Sequence, residues 1–338
     1  MRDDMASGIS VIDACAAIPR LTREEWRATH AISRWLIGSR APVLAMTFSS
    51  AAIGGALALL DGRVDVVGWV LCVVGLLLAH AANNQLNDLT DSMLGLDRDD
   101  SFRARYGVHV LEQGLWSQRQ LFVSFGCTGG LALAIGSYLC VRVGPTLLLP
   151  LAAGAFFLLA YTWPLKWLGL GELAVWLVWG PLMTAGSYVV ASGHWRAATV
   201  VVGAVQALAP TTVIFGKHLD KLAYDAERGV RTLPVRLGSV RARRAVVAMV
   251  FLAHIGIAAL VASRMLPWPS LVVLLALPAA VRVVRSHRAP APSTCPVGYP
   301  SGVWPLWYSA HAFVHARAFG LLLLAGLAAA AMMRAWAA

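Results

Sequence analysis

Nearly uncharged apolar segments of bilayer length recur along this chain and constrain its fold more than any other feature. A helix crosses a hydrocarbon core about 30 Å thick with roughly 20 apolar residues. Segments of this kind occupy residues 42–60, 64–82, 121–141, 145–161, 173–191, 197–215, 245–263, 266–281 and 318–333. With 58% hydrophobic and only 13% charged residues, the chain also differs from a soluble domain. The sequence therefore predicts an all-α integral membrane protein with about nine transmembrane helices.

Basic residues are distributed unevenly between the two sides of such a bundle. The first forty residues carry scattered Arg, Asp and Glu without a continuous apolar stretch, so we expect no cleavable signal peptide and a cytoplasmic N-terminus. Nine spans then place 23 of the 28 Lys and Arg residues on the cytoplasmic side. This asymmetry follows the positive-inside rule and predicts a multi-pass protein of the cytoplasmic membrane.

The same asymmetry explains the net charge of +11. Positive loops are attracted to anionic lipid, so we expect the lipid bilayer as a partner and no nucleic acid. The five cysteines are scattered without a Cys-x-x-Cys pair and predict neither disulfides nor a metal site. We divide the chain into a cytoplasmic tail, residues 1–40, and a single transmembrane domain, residues 41–338. Within the tail, residues 24–40 are predicted to form an amphipathic helix.

A block of carboxamides and carboxylates, residues 83–100, directly follows the second apolar segment. Residues four apart share a helical face. The members of the block that lie on one face or beside it are Asn83, Asn84, Asn87, Asp88 and Asp91. Gly95 favours the end of the helix, and Asp97 follows in a loop. Carboxylates at membrane depth are costly unless they face a water-filled cavity or a cation, and oxygen ligands without His or Cys predict Mg²⁺. A wet interfacial loop would also explain the block.

A second charged block, residues 215–238, begins at the end of the sixth apolar segment. Lys217, Lys221 and Asp225 follow each other at intervals of four residues. Asp220 stands one residue off that stripe. Both blocks are cytoplasmic in the predicted topology, so they can face each other across one cavity. Carboxylates that hold Mg²⁺, beside ammonium groups that contact phosphate oxygens, predict a metal–diphosphate site.

The two blocks resemble the aspartate-rich motifs of the UbiA superfamily of intramembrane prenyltransferases. Asn-Asp-Leu-Thr-Asp at 87–91, with Gly-Leu-Asp at 95–97, is similar to the first motif as it is spaced in the menaquinone branch, the 1,4-dihydroxy-2-naphthoate prenyltransferases. Asp225, with Thr-Leu-Pro-Val at 232–235, resembles the second motif. The segments 161–166, 168–173 and 180–188 resemble the middle region of the same branch. The resemblance covers roughly residues 40–238 and implies that family's helical fold around a central, lipid-accessible cavity.

The resemblance implies a Mg²⁺-dependent prenyltransferase that joins a polyprenyl diphosphate to a small, usually aromatic acceptor. The residues expected to hold the first metal ion are Asn84, Asn87, Asp88, Asp91 and Asp97, and those expected to hold the second are Asp220 and Asp225. The residues expected to bind diphosphate are Arg103, Arg105, Lys166, Lys217 and Lys221. The residues expected to be catalytic are Asn87, Asp91, Asp225 and Tyr161, the last through cation stabilisation by its ring face. Ordinary interfacial roles remain open for Tyr161, Lys166 and the two arginines.

The second motif departs from the family pattern at two positions. Lys221 stands where the family normally has an aspartate, and Lys217 stands where the menaquinone branch usually has an asparagine. One hypothesis, which we favour, is that both lysines contact diphosphate in place of part of the second metal site. The other is that a helical bulge brings Asp220 into register while the lysines pair with nearby carboxylates.

Two other functions are compatible with the same residues. A terpene cyclase on this scaffold would ionise the same diphosphate but turn over without an acceptor. A transporter would use the acidic stripes as an ion path and release no diphosphate. The altered second motif also favours a specialised acceptor over the menaquinone step itself.

Overall fold

The structure is a computed structural model that describes residues 7–62, 64–96 and 102–337. In this part of the chain, nine helices are long and apolar enough to cross a membrane, which confirms the predicted all-α fold. Numbered as spans in chain order, they are Ala41–Leu60, Val66–Met93, Gln118–Val143, Pro145–Leu165, Gly171–Ser192, Ala197–Asp220, Ser239–Ala262, Trp268–Ser286 and Tyr308–Ala337. The shorter helices are Val11–Ala16, Arg23–Ala28, Ala31–Gly38, Phe102–Arg105, Leu222–Glu227 and Leu233–Leu237.

The first span lies at the centre of the bundle and is the most buried of the nine. Small residues let the fifth and ninth spans approach it closely. A Cβ added at Gly54 would lie 2.3 Å from the carbonyl oxygen of Thr184, and one at Gly320 would lie 2.9 Å from the Ser49 side chain. Few residues of the third and fourth spans are buried, as expected of helices that face apolar lipid chains.

The second span is longer than its apolar segment, because the helix continues through the first polar block to Met93. The Asp65 side chain begins it by accepting a hydrogen bond from the Gly68 amide. Gly95 follows its end with φ +69°, a left-handed conformation that favours glycine. The predicted polar stripe is therefore part of the membrane-crossing helix.

Two spans are broken where a proline follows. Trp163, before Pro164, has extended backbone angles of φ −143° and ψ 129°. Gly180, before Pro181, leaves the helical region with φ −105° and ψ −108°. A residue before proline is disfavoured in the α conformation, so both breaks follow from the sequence. The first break changes the direction of the chain just before Lys166.

The ninth span begins ten residues before the predicted segment 318–333. Its first turns contain His311, His315 and Arg317, which lower the local hydropathy. His315 is nevertheless buried, with its ring centroid 5.3 Å from that of His254 in the seventh span. Hydropathy underestimates the length of this helix because His315 is sheltered by protein.

The tail segment 24–40 forms two short helices, in place of the single amphipathic helix that we expected. Thr29 and His30 between them are extended. The hydroxyl of Thr29 donates to the carbonyl of Glu25 at 2.7 Å, which closes the first helix. Trp26 is buried and packs edge-on against Trp116, so the tail is attached to the protein itself.

A cavity of about 1070 Å³ lies between the spans. Apolar side chains of the second to fifth spans line most of it, among them Leu76, Phe125 and Leu151. At one end the lining changes to polar and charged groups, which include Arg40, Asn84, Asn87 and Lys217. We call this end of the bundle the motif end.

Candidate functional site

The first motif lies at the motif end of the second span. Asn87 donates hydrogen bonds from Nδ2 to Asp91 Oδ2 and to Thr162 Oγ1, both at 3.1 Å. Asn84 lines the cavity and donates to the Ser39 carbonyl at 2.9 Å, so its own oxygen remains available as a ligand. Asn87 and Asp91 thus share one face of the helix, as their spacing predicts.

Lys166 is paired with Asp91. Its Nζ lies 2.7 Å from Oδ1 and 2.9 Å from Oδ2 of that carboxylate, and the lysine is only 3% exposed. The break at Trp163 allows the chain after the fourth span to reach the second span. The middle region therefore supplies the cation that neutralises Asp91.

Asp88 is held by two arginines, Arg40 and Arg103, which both donate to its Oδ1. Arg103 is anchored further by a hydrogen bond from Nε to the Val108 carbonyl at 3.1 Å. This geometry makes Arg103 a support for the first motif, whereas Arg40 also lines the cavity. Asp88 Oδ2 and one terminal nitrogen of Arg103 remain buried without a partner among the described residues. The metal-ligand role of Asp88 and the diphosphate role of Arg103 stay predictions.

Arg40 is a functional candidate that the sequence did not indicate. Its backbone is left-handed, with φ 55° and ψ 51°, which is uncommon for a residue with a side chain. Such strain is concentrated at functional sites. The available signal was its position: a basic residue immediately before the first apolar segment, where it enters the membrane together with the bundle core.

The second motif is divided between two helices. The sixth span ends at Asp220, Lys221 leaves the helical region with φ −117° and ψ 26°, and Leu222–Glu227 carries Asp225. Lys221 Nζ lies 2.8 Å from Asp225 Oδ1. Burial lowers the pKa of Lys221, but the charges of Asp225 and Asp91 outweigh it and the pKa is raised. Lys221 is therefore a stable cation.

Asp220 faces away from this pair. Its carboxylate accepts backbone hydrogen bonds from Trp307, Tyr308 and Ser309 at 2.8 to 3.0 Å, and the Ser309 hydroxyl at 2.5 Å. Both oxygens are thereby used to cap the start of the ninth span. The geometry favours this structural role over the predicted second-metal role, and no bulge brings Asp220 into the register of the motif.

Lys217 has a different environment from the other two lysines. It lines the cavity, and within the described chain it forms no hydrogen bond or ion pair. It lies in electrostatic range of Arg40, Lys166, Lys221 and Asp91. Since Asp91 belongs to the first motif, the two motifs meet at one site, as the predicted topology requires.

The remaining predicted residues are placed as follows. Tyr161 lines the cavity beside the broken end of the fourth span. Arg105 is exposed, and its carbonyl accepts a hydrogen bond from Arg20 of the tail. Asp97 lies outside the described residues. The diphosphate role of Arg105 and the ligand role of Asp97 stay predictions.

A buried Glu172–His218 pair was missed by sequence reasoning. Glu172 Oε1 lies 2.5 Å from His218 Nδ1, and Oε2 accepts from the Leu233 amide at 3.3 Å. Both side chains are 1% exposed. The pair ties the start of the fifth span to the turn before Lys221. Charged residues at the ends of both spans were a signal, but their pairing is not visible in sequence.

The donor set is compatible with Mg²⁺. The candidate ligands are oxygens, and Asp225 Oδ2 is buried without a partner among the described residues. No three acidic, His or Cys side chains in that part of the chain converge to hold a metal ion alone. Mg²⁺ usually takes one or two carboxylates and completes its shell with water and substrate phosphates. The residues therefore fit Mg²⁺ that binds together with a diphosphate.

Fold and site together define a multi-pass membrane protein whose charged groups meet at one end of an apolar cavity. Residues 47–301 match the UbiA prenyltransferase family. Because the match spans about three quarters of the 338 residues, the chain belongs to this family and is a prenyltransferase.

Curated relatives include members of the menaquinone branch. The 1,4-dihydroxy-2-naphthoate octaprenyltransferase of Mycobacterium tuberculosis is 30% identical over 276 residues, which cover 76% of this chain and 87% of the relative. The Escherichia coli enzyme of the same name is 27% identical over 62% of this chain and 70% of its own length. These matches confirm the resemblance to that branch at modest identity.

Solved structures share the fold. The apo structure of a UbiA homolog from Aeropyrum pernix K1 has a TM-score of 0.64 at 20% identity and covers 85% of this chain and 97% of its own. A UbiA homolog from Archaeoglobus fulgidus, bound to GPP and Mg²⁺, has a TM-score of 0.54 at 15% identity. The match covers 86% of this chain and 97% of the homolog. At these identities the likeness concerns the fold alone.

Proposed function

We propose that the protein transfers a prenyl group from a polyprenyl diphosphate to an aromatic acceptor in a Mg²⁺-dependent reaction. The observation that carries this proposal is the meeting of both charged motifs at the polar end of an apolar cavity. A prenyl chain needs an apolar space, and its diphosphate needs cations. The match to the UbiA prenyltransferase family supports a prenyl donor, and the oxygen ligands of the first motif support Mg²⁺.

In the proposed reaction, the C–O bond between the prenyl C1 atom and the diphosphate breaks, and diphosphate leaves with the electron pair. The allylic cation forms a C–C bond with the acceptor ring, which then loses a proton. When bound, Mg²⁺ would supply positive charge against the charge that develops on the leaving group. Lys217, Lys221 and Arg40 would hold the diphosphate oxygens at the end of the cavity, a preorganised form of electrostatic stabilisation.

The remaining residues would bind the metal ion or stabilise the prenyl cation. Asn87 and Asp91, with Asn84 and Asp97 in support, would hold Mg²⁺, and Asp225 is the carboxylate that the second motif retains. Lys166 neutralises Asp91 until the substrate binds. The Tyr161 ring would face the cation that forms at C1, because the negative face of an aromatic ring attracts a cation. The apolar cavity keeps water away from that cation.

We also propose that the motif end faces the cytoplasm, with the N-terminus on the same side of the cytoplasmic membrane. The distribution of basic residues supports this orientation. As the acceptor we propose an aromatic quinone precursor, and the naphthoate named in the curated relatives is the first one to test.

The test measures diphosphate release and prenylated product from the purified chain, with Mg²⁺ or with EDTA, and with DMAPP, GPP or longer diphosphates. Reactions with and without 1,4-dihydroxy-2-naphthoate separate transfer from cyclisation, since a cyclase turns over alone. Asp91→Asn is expected to abolish release, and Asp13→Asn, at an exposed carboxylate of the tail, to leave it unchanged. Undiminished release by Asp91→Asn would refute the proposal.

A further inference from the structure

Lysine is rare in this chain, and its positions are informative. Of the 28 Lys and Arg residues only three are lysines. Lys166, Lys217 and Lys221 all lie at the site where the two motifs meet. Elsewhere, arginine provides the positive charge of loops and helix ends. An ammonium group is a compact point charge whose donors turn freely toward phosphate oxygens, so its restriction to this site suggests a phosphate ligand.

In the described part of the chain, which leaves out Asp97, the ion pairs at the two motifs do not balance in charge. Three carboxylates face five cations there: Asp91 pairs with Lys166, Asp225 pairs with Lys221, and Asp88 pairs with both Arg40 and Arg103, while Lys217 has no partner among the described residues. Excess charge at membrane depth is costly unless a ligand neutralises it. An excess of positive charge calls for an anion, whereas a site built for two divalent cations would need surplus carboxylates.

The second motif has too few free carboxylates to bind a second divalent cation. Asp220 is occupied by the cap of the ninth span, so Asp225 is the carboxylate that remains. One of its oxygens is paired with Lys221. A metal ion bound at the other oxygen would share this one carboxylate with the ammonium of Lys221, and like charges repel at short distance. The second motif also lacks the side-chain amide oxygens that Asn84 and Asn87 add beside Asp91 at the first motif.

We propose that the second motif binds diphosphate directly through Lys217 and Lys221, without a metal ion, and that the enzyme binds one divalent cation, at Asn87 and Asp91. Lys217 is the main contact, because no pair has to break for it to reach the ligand. Lys221 is held in place by Asp225. This inference rests on the proposed function for the identity of the anion.

The first experiment uses inorganic pyrophosphate in the presence of EDTA, with the purified full chain in detergent and calorimetric detection. The wild type is expected to bind it. Lys217→Met is expected to weaken binding about tenfold or more, since a charge-assisted contact is lost. Its melting temperature should not fall, because no partner is left unpaired. Arg241→Gln, at an exposed residue outside the site, is the matched charge control and should bind normally.

The second experiment counts bound Mn²⁺ by electron paramagnetic resonance with pyrophosphate present. We expect one ion per chain in the wild type. The double variant Lys217→Asn, Lys221→Asp introduces the residues that the family pattern has at these positions, and it should bind two ions.

Three results would overturn the inference: no pyrophosphate binding in EDTA, normal binding by Lys217→Met, or two Mn²⁺ ions in the wild type. None of them bears on the proposed prenyl transfer, which stands or falls with Asp91-dependent product formation in Mg²⁺. Conversely, metal-free pyrophosphate binding through Lys217 would hold even if no acceptor were prenylated.

Discussion

Asp220 and Lys221 are neighbours in the chain, yet the end of the sixth span points them in opposite directions. Asp220 turns to the backbone amides at the start of the ninth span, and Lys221 turns to Asp225. A one-residue difference in register therefore separates a helix cap from a ligand-binding group.

Replacing Asp220 should test that separation. In Asp220→Ala, the three amides at the start of the ninth span lose their acceptor, so we expect a loss of about 1–3 kcal/mol in the free energy of unfolding. Thermal unfolding in detergent measures it. Pyrophosphate affinity of the folded protein should be unchanged. Normal stability combined with a weaker Mg²⁺ response would instead show that Asp220 is a metal ligand.

The two arginines on Asp88 should show coupled effects. Either Arg40→Gln or Arg103→Gln leaves one cation on the carboxylate, so each single loss should be moderate. The double variant leaves a buried, unpaired charge, which costs about 3–5 kcal/mol. We therefore expect the double loss to exceed the sum of the single losses in a double-mutant cycle. Simple additivity would mean that Asp88 is not the shared partner.

At the scale of elements, the close approach of the sixth and ninth spans positions the second motif. Gly216 makes it possible, because a Cβ there would lie 2.7 Å from the Ser309 amide nitrogen. The contact lies one residue before Lys217. The ninth span thus holds in place the end of the sixth span, which carries Lys217 and leads into Lys221.

Gly216→Ala should disturb this contact. Backbone atoms cannot move aside as a flexible side chain can, so we expect destabilisation of about 1–3 kcal/mol and a lower rate of diphosphate release. Gly126→Ala in the third span is the control, since nothing lies within 4 Å of the added Cβ. Equal stability of the two variants would show that the spans are not in close contact here.

Helices were predictable from the sequence where hydropathy alone decides the structure. Nine apolar segments gave nine spans, and the four-residue spacing placed Asn87 beside Asp91. The predicted second segment ended too early and the predicted ninth segment began too late. In both places, polar residues that belong to the helix are sheltered by residues of other helices.

Long-range partners explain what the sequence could not reveal about the site. Asp220 is bound by residues 87 to 89 positions away, and Lys166 reaches Asp91 across 75 positions. Local spacing identifies a polar face but not the groups opposite it. Arg40 was therefore counted only among the basic residues of the tail, and the Glu172–His218 pair was overlooked.

At the scale of the whole molecule, the order of the spans places every loop on one of two sides. Cys15 and Cys295 are exposed in the tail and in the loop after the eighth span, both at the motif end. The loop between the fifth and sixth spans, with exposed Trp195, lies at the opposite end.

Labelling with a membrane-impermeant maleimide should reveal the orientation. In intact cells we expect Cys15 and Cys295 to stay unmodified and a Trp195→Cys variant to react, because the motif end is proposed to face the cytoplasm. Permeabilised cells are the control, in which all three positions should react. Mass spectrometry identifies the sites, and the reverse pattern in intact cells would show the opposite orientation.

The scarcity of lysine has a practical consequence. Apart from the N-terminus, the chain carries primary amines only at its three lysines, and two of these amines are engaged in ion pairs. Acylating reagents that modify dozens of positions on most proteins would here be directed to the place where the diphosphate is proposed to bind. Protection of these amines from acylation would therefore report whether the site is occupied.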